Sequence, residues 1–238
     1  MVYRIVIDPT QTQENIINLT PEQKHYLKNV LRLKSQDTFM TIDGQGNTYL
    51  AQLKTNNAEI IKSIEEVTEL PTSITLMVAL PKGNSFDDII RSCTELGVSN
   101  VMPVLSERTL LKPSHHKLQR WRKIAMEATE QSERQIIPTI VEPLSFSEAL
   151  TKVAKANSNC YICVARRKAK HLLTYLSDLS PQPITIATGC EGGWTDREVD
   201  QAIATGFQPV TLGSRILRAV TVPIVCLSLV ASVFEQGD

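Results

Sequence analysis

The alternation of apolar and polar residues changes near residue 72 and divides the chain into two parts. The strand-like runs of the first part lie at residues 3–7, 39–42, 48–53 and 60–67. One helix interrupts them, beginning at the capping box of Thr20 and Gln23 with Pro21 at its first position. Leu27, Val30 and Leu31 form its apolar stripe. Many strands and one helix predict a small β-barrel.

From Ile74 onwards, strand-like runs alternate with helical ones. The strand-like runs lie at residues 74–80, 101–105, 160–164 and 208–212, and a further one precedes the loop that begins at Thr188. Ser145 with Glu148, and Thr195 with Glu198, are capping boxes that mark helix starts. Such alternation predicts an α/β domain with a mostly parallel sheet covered by helices. The Pro- and Ser-containing segment 69–73 is the best boundary, so we expect domains at residues 1–71 and 72–238.

Two Gly-marked loops near the C-terminus each follow a strand and run into a helix. The first is TGCEGG at 188–193, where three glycines in five residues let a ligand approach the main chain closely. The second is LGSRILR at 212–218, which carries two arginines. Ligands of open α/β sheets bind outside the carboxyl ends of strands, so these loops predict a binding site.

Composition limits the classes of function. The chain has 238 residues, 42% of them apolar, and equal numbers of basic and acidic residues, 25 each. Zero net charge argues against a polyanion binder that relies on bulk charge. Two local basic runs, at 108–134 and 166–171, are either solvated faces or RNA contacts.

Several features indicate a cytoplasmic protein with no membrane partner. The N-terminus lacks the apolar region of a signal peptide. The apolar run 219–234 is shorter than the about 20 residues of a membrane span and predicts a helix buried in a core or a subunit interface. Five cysteines without paired spacing favour a reducing compartment. Cys160 and Cys163 lie in a predicted strand and point to opposite faces, which favours core cysteines, and His25, His115 and His116 lack partners for a metal site.

Five motifs in order resemble the 16S rRNA (uracil-N3)-methyltransferase (RsmE) family of the SPOUT superfamily. They are HYLKNVLRL at 25–33, LPKG at 80–83 with TELGV at 94–98, SER at 106–108, RWRKI at 120–124 continuing to EQS at 130–132, and the two C-terminal loops. The resemblance implies a PUA-like RNA-binding domain, a SPOUT domain with a C-terminal trefoil knot, and a homodimer. It also implies S-adenosylmethionine as the methyl donor and N3 of a uridine in 16S rRNA of the small ribosomal subunit as the acceptor.

The resemblance assigns roles to residues of both loops and of the earlier motifs. Arg215 and Arg218 are the candidate catalytic residues, because a guanidinium stays charged and can bridge a carbonyl oxygen or phosphate with two hydrogen bonds. We expect Arg218 nearer the uracil and Arg215 nearer RNA phosphate or the partner subunit. The expected cofactor contacts are Thr188, Gly189, Gly192, Gly193, Leu212, Gly213, Ile216 and Leu217. The expected RNA contacts are Arg32, Lys82, Arg108, Arg166, Arg167 and Glu191.

The chain departs from the family pattern at two places. Cys190 stands where the family usually has Pro, and Ala219 and Val220 stand where Thr-Glu is common. No carboxylate is therefore available at position 220, and the proton acceptor is unassigned. For Glu191, we favour a substrate hydrogen-bond acceptor or an acidic residue at a helix start over a catalytic base.

Other functions are weighed against this one. A non-catalytic RNA-binding or ribosome-assembly factor could keep the fold, with the changes at Cys190 and Val220 as signs of lost activity. A SPOUT methyltransferase could also modify another RNA atom. A dehydrogenase is disfavoured because the sequence lacks G-x-G-x-x-G with an acidic residue about 20 positions later.

Overall fold

The computed structural model describes residues 3–111 and 113–235, and these form two compact units. The first unit comprises the chain up to Glu69 together with Met126–Ile137. The second comprises Leu70–Ala125 and the chain from Pro138 onwards.

A mixed sheet builds the first unit. Its strands are β1 (Arg4–Val6), β2 (Thr12–Gln13), β3 (Ile16–Ile17), β4 (Thr38–Ile42), β5 (Thr48–Leu53) and β6 (Ala58–Ile64). Over the described residues, the six strands have the order β1-β4-β5-β6-β3-β2. Only the β1–β4 pairing is parallel among them. Ile17, Phe39 and Leu53 are fully buried in its core, so the alternating apolar positions of the strands supply one packed face.

The predicted helix of this unit is confirmed at its start and differs at its end. Helix α1 (Pro21–His25) begins at the reciprocal capping box of Thr20 and Gln23. It continues into a π-helical turn, Tyr26–Val30, in which the N–H of Leu31 bonds to the carbonyl of Tyr26. This wider turn changes the predicted stripe, since Leu27 stays buried while Val30 is 57% exposed.

The segment 126–137 is held in the first unit by buried charge and backbone pairing. Arg134 is 3% exposed, and its guanidinium donates hydrogen bonds to both carboxylate oxygens of Glu69. The same carboxylate accepts the backbone N–H groups of Gln135 and Ile136, each at 3.0 Å. Gln135 also donates to Thr48 Oγ1 at 3.1 Å. These contacts join residues far apart in sequence, and no local pattern predicts them.

The second unit alternates strands and helices. Its strands are β7 (Ile74–Ala79), β8 (Asn100–Leu105), β9 (Thr139–Ile140), β10 (Leu144–Ser145), β11 (Asn159–Cys163), β12 (Lys170–His171), β13 (Ile184–Thr188) and β14 (Gln208–Thr211). The remaining helices of the chain are α2 (Ser85–Glu95), α3 (His115–Gln131), α4 (Phe146–Ala154), α5 (Leu172–Leu176), α6 (Asp196–Ala204) and α7 (Thr221–Phe234).

All strand pairs recorded for the described part of this unit are parallel, in the order β10-β8-β7-β13-β11-β14-β12, with β9 also paired to β8. Every residue of β13 is buried, as expected for a central parallel strand covered on both faces. The predicted caps at Ser145 and Thr195 are both present as capping boxes. The predicted mixed α/β fold with a mostly parallel sheet is thus confirmed.

Helix α7 carries the long apolar run near the C-terminus. It buries Pro223, Cys226, Leu227 and Val230, which recur at helical spacing, and the other apolar residues of the helix are partly exposed. Across the described chain, none of the helices has the length and apolar character that a membrane span requires. Cys226 Sγ lies 3.5 Å from Cys163 Sγ of β11, whereas Cys160 contacts Ser158.

Candidate active site at the carboxyl edge of the parallel sheet

Five loops leave the parallel sheet at its carboxyl edge. They follow β7, β8, β11, β13 and β14, and the registers of these strands bring their last residues to the same edge. The loops after β13 and β14 flank the end of β11, which lies between these two strands. Because neighbouring strands are about 4.8 Å apart, the two loops start about 10 Å from each other.

The loop after β13 needs glycine for steric and conformational reasons. A Cβ on Gly189 would stand 3.1 Å from Gly193 Cα and 3.3 Å from the backbone nitrogen of Trp194. Gly193 has a φ of +67°, which disfavours other residues, and its N–H closes a turn onto the Cys190 carbonyl at 2.8 Å. Thr188 is fully buried, so a ligand at this loop would meet main chain before the Thr188 side chain.

The loop after β14 presents apolar and cationic side chains to solvent. Gly213 takes a φ of +114°, and Thr211 Oγ1 bonds to both its N–H and its carbonyl. Ile216 is 63% exposed, which is high for a large apolar residue, and Leu212 and Leu217 are partly exposed. This loop therefore offers apolar surface beside the glycine-rich loop.

Arg215 and Arg218 are exposed residues of the same loop. Within residues 3–111 and 113–235, neither guanidinium has a recorded hydrogen bond or ion pair. The backbone of Arg218 is fixed, because its carbonyl accepts the N–H groups of Thr221 and Val222 at the start of α7. Its side chain is thus available to a ligand while its main chain is anchored.

Glu191 links the glycine-rich loop to the loop after β7. Its Oε1 accepts the backbone N–H of Lys82 at 3.0 Å, and the Glu191 and Lys82 residues are both exposed. The interpretation of Glu191 as a residue at a helix start is wrong, because α6 begins at Asp196 after its cap, Thr195.

Arg108, predicted to contact RNA, bonds to the glycine-rich loop. Its Nη1 donates to the carbonyl of Gly192 at 2.6 Å and to that of Trp194 at 3.2 Å. A Cβ on Gly192 would stand 3.1 Å from Arg108 Cδ, so the arginine stem occupies the space that a side chain would need.

The arginines after β11 differ in their surroundings. Arg166 is exposed, and the structure records no ion pair for it in the described part of the chain. Arg167 forms ion pairs with Asp196 and Asp200 of α6, at 3.1 and 2.9 Å. The hydrogen bond to Asp200 is the main cause that raises the pKa of the Arg167 guanidinium. Arg166 is therefore the better placed of the two for a phosphate.

The other predicted contacts lie elsewhere. Arg32 belongs to the first unit, where it is exposed and has a φ of +59°. In the basic run 108–134, Lys117 donates to Gly83 and Asn84, and Arg120 pairs with Asp87. Lys112 lies outside the described residues.

Glu198 has a role beyond the capping box that the sequence indicates. Its carboxylate is 1% exposed and accepts the backbone N–H of Glu107, in the loop after β8, at 2.8 Å. No local sequence pattern indicates this contact, because its two residues are 91 positions apart. Of the described side chains, no three or more His, Cys, Asp or Glu group together as metal ligands would.

Two family models match the chain. The model of the RNA methyltransferase domain matches residues 68–231, and that of the RNA methyltransferase PUA domain matches residues 19–63. Each match falls on one of the two sequence patterns described above.

Individual relatives cover nearly the whole chain. Ribosomal RNA small subunit methyltransferase E of Synechocystis sp. is 48% identical over 99% of this chain and 79% of that protein. The protein of the same name from Mesomycoplasma hyopneumoniae is 32% identical over 95% of this chain and 98% of its own length. A crystal structure of the Neisseria gonorrhoeae protein bound to S-adenosyl methionine has a TM-score of 0.88 and 30% identity, and covers 98% of both chains.

Proposed function

Because the chain belongs to the ribosomal RNA small subunit methyltransferase E family, we propose that its acceptor is N3 of a specific uridine in 16S rRNA. The chain is a methyltransferase of small-subunit ribosomal RNA that uses S-adenosylmethionine as the donor. The observation that supports the proposal is that the loops after β13 and β14 flank the end of β11, one of them rich in glycine and the other carrying the exposed Arg215 and Arg218.

The residues at the carboxyl edge fit S-adenosylmethionine. Bound there, the donor supplies an electrophilic methyl group on its sulfonium. Among the described residues, no heavy atom outside the adjoining residues lies within 4 Å of the Cβ positions of Gly193 and Gly213, which leaves main-chain amides and carbonyls there open to an adenine edge. Ile216, Leu212 and Leu217 offer apolar contacts to the adenine faces. We assign further donor contacts to the backbone of Thr188, Gly189 and Gly192.

Arg218 is the residue that we place beside the uracil. N3 of uracil is an imide nitrogen that becomes nucleophilic only after its proton leaves. A guanidinium near the carbonyl oxygens stabilises the resulting anion and lowers the imide pKa. Since position 220 is a valine, solvent accepts the proton in this mechanism. Positioning of N3 in line with the methyl group supplies much of the remaining rate enhancement.

The RNA backbone is assigned to cationic side chains around this edge and on the first unit. Arg215, Arg166 and Lys82 are exposed on three loops of the parallel sheet, and Arg32 is exposed on the PUA domain. Arg167 would bind RNA only after releasing its aspartate partners. Lys and Arg contacts to phosphate give salt-dependent affinity without sequence information.

We further propose a homodimer that forms through α7 in the cytoplasm, where ribosomal RNA is modified. Val222, Val225 and Leu229 of this helix remain partly exposed although they are apolar, and Ile216 in the preceding loop is exposed. A trefoil knot around the loops after β13 and β14 is part of the same proposal. The order β13-β11-β14, with α7 packed against α2 and α5, supports it. Light scattering of the purified chain tests the dimer; a monomer at micromolar concentration would contradict it.

Nucleoside analysis of 16S rRNA tests the acceptor. Small subunits from a strain without the gene should lack 3-methyluridine, and the purified enzyme with S-adenosylmethionine should restore it. Restoration of a different methylated nucleoside would show that the enzyme methylates another RNA atom and not N3. No restoration, together with no donor binding in calorimetry, would favour a non-catalytic assembly factor.

A further inference from the structure

The loop after β8 reaches across the end of β7 to the glycine-rich loop after β13. Hydrogen bonds join the loop after β8 to the glycine-rich loop and the start of α6. The Glu107 N–H donates to Glu198 of α6 at 2.8 Å, Arg108 donates to the carbonyls of Gly192 and Trp194, and Cys190 Sγ donates to the Arg108 carbonyl at 3.5 Å. The backbone and side chain of Arg108 therefore both bond to the glycine-rich loop.

The two oxygens of the Glu198 carboxylate accept hydrogen bonds from different segments. Oε1 accepts from Glu107, and Oε2 accepts the backbone N–H of Thr195 at 2.8 Å and its hydroxyl at 3.2 Å. Because this carboxylate is buried, each N–H that it accepts would otherwise lose its partner. The capping box of Ser145 and Glu148 has the same local bonds at an exposed position, and in the described part of the chain no hydrogen bond links the Glu148 carboxylate to a second loop.

We propose that Arg108 and Glu198 are positioning residues that hold the glycine-rich loop in the conformation that binds the methyl donor. The inference rests on the proposed function, because it takes this loop as part of the donor site. Arg108 acts through the carbonyls of Gly192 and Trp194, and the donor meets the opposite, glycine-lined side of the loop.

Pre-organisation of the glycine-rich loop explains why loss of the Arg108 contacts should weaken binding of the methyl donor. A loop that is already held in its binding conformation does not lose conformational freedom when the ligand arrives. Without Arg108, residues 192–194 lose both carbonyl contacts and must be ordered by the donor itself. Fixing even one residue corresponds to about a tenfold change in a dissociation constant.

Arg108→Ala tests the inference by calorimetry with S-adenosylmethionine alone, without RNA. The expected result is a rise of about tenfold or more in the donor Kd, with kcat at saturating donor and KM for RNA close to wild type. Arg108→Lys should recover part of the affinity, since one ammonium can still reach one of the two carbonyls. An unchanged donor Kd with a raised KM for RNA would overturn the inference and make Arg108 an RNA contact.

Glu198→Gln, with Glu148→Gln as its matched control, gives a second test. A glutamine side chain has one acceptor oxygen, so Glu198→Gln removes the ability to accept from both Glu107 and Thr195 through separate oxygens. Among variants that thermal unfolding shows to be folded, Glu198→Gln should weaken donor binding and Glu148→Gln should leave it unchanged. Equal donor affinity in both variants would overturn the role of Glu198. If the wild type itself bound no donor, the proposed function would fail, whereas normal binding by Arg108→Ala would remove only this inference.

Discussion

The backbone N–H of Lys82 donates a hydrogen bond of 3.0 Å to Oε1 of Glu191, a residue 109 positions later. The two residues stand in the loops after β7 and β13, which are neighbouring strands of the parallel sheet. The bond fixes the backbone from which the exposed Lys82 side chain extends. If Lys82 contacts RNA as proposed, Glu191 assists RNA binding through this bond without touching RNA.

Glu191→Ala should raise KM for RNA by about two- to tenfold, because one hydrogen bond of about 0.5–1.5 kcal/mol holds Lys82 in place. Glu191→Gln should retain most of the affinity, since its amide oxygen still accepts the Lys82 N–H. Steady-state methylation of undermethylated small subunits measures these values. If Glu191 acts through Lys82, the double variant Lys82→Ala/Glu191→Ala will be no worse than Lys82→Ala. Additive losses would show that Glu191 has a separate contact.

Arg218→Ala should lower kcat for methyl transfer by roughly a hundredfold or more, since removing one preorganised donor to a developing anion has about this effect. The donor Kd should stay close to wild type. Single-turnover transfer of a labelled methyl group checks the rate, and calorimetry checks the affinity. Arg215→Ala is the matched control from the same loop, and it should chiefly raise KM for RNA and its dependence on salt. Full activity of Arg218→Ala would remove this residue from the mechanism.

Gly189→Ala should weaken donor binding by about tenfold, because the new Cβ would stand 3.1 Å from the backbone of Gly193 and displace the loop. Gly206→Ala provides the control. Gly206 has a φ of +97° and open space around its Cβ position, so alanine there should cost about 1–2 kcal/mol of stability. It should leave the donor Kd unchanged. Similar losses of affinity in both variants would indicate general destabilisation.

Glu130 should make the stability of the protein depend on pH. Burial is the main cause that raises the pKa of its carboxyl above the usual 4.5, and Glu127 adds to it, against a lowering by the N–H of Val6. A group whose pKa is higher in the folded state contributes stability below its unfolded pKa and loses it as pH rises through the folded value. Glu130→Gln should therefore gain stability relative to wild type between about pH 4.5 and pH 8. Denaturant unfolding at both pH values measures this, and an equal difference at both would contradict it.

Local sequence signals predict the elements of this fold well. The capping boxes at Thr20, Ser145 and Thr195 each begin a helix as expected, because their bonds join residues three positions apart. The strand run before the first C-terminal loop is found at Ile184–Thr188, where every residue is buried as expected for a central parallel strand. The run before the second loop is found at Gln208–Thr211, where Val210 alone is buried.

Long-range contacts are what the sequence does not reveal. The ion pair of Glu69 with Arg134 joins residues 126–137 to the first unit. The sequence boundary at residues 69–73 assigns these residues to the second domain instead. The hydrogen bond of Arg108 to the Gly192 carbonyl cannot be predicted from the sequence either, because an arginine in a basic run resembles an RNA contact until its partners are known. The π-helical turn at Tyr26–Val30 shifts the exposed side of a helix that periodicity alone describes as regular.

A crystal structure with S-adenosylmethionine would show where the methyl donor binds. We expect the adenosyl group over the end of β11, against the backbone of 189–193 and the apolar side chains of 212–217, with its methyl group facing Arg218. Density for the donor at another edge of the sheet, or beyond reach of either loop, would contradict it.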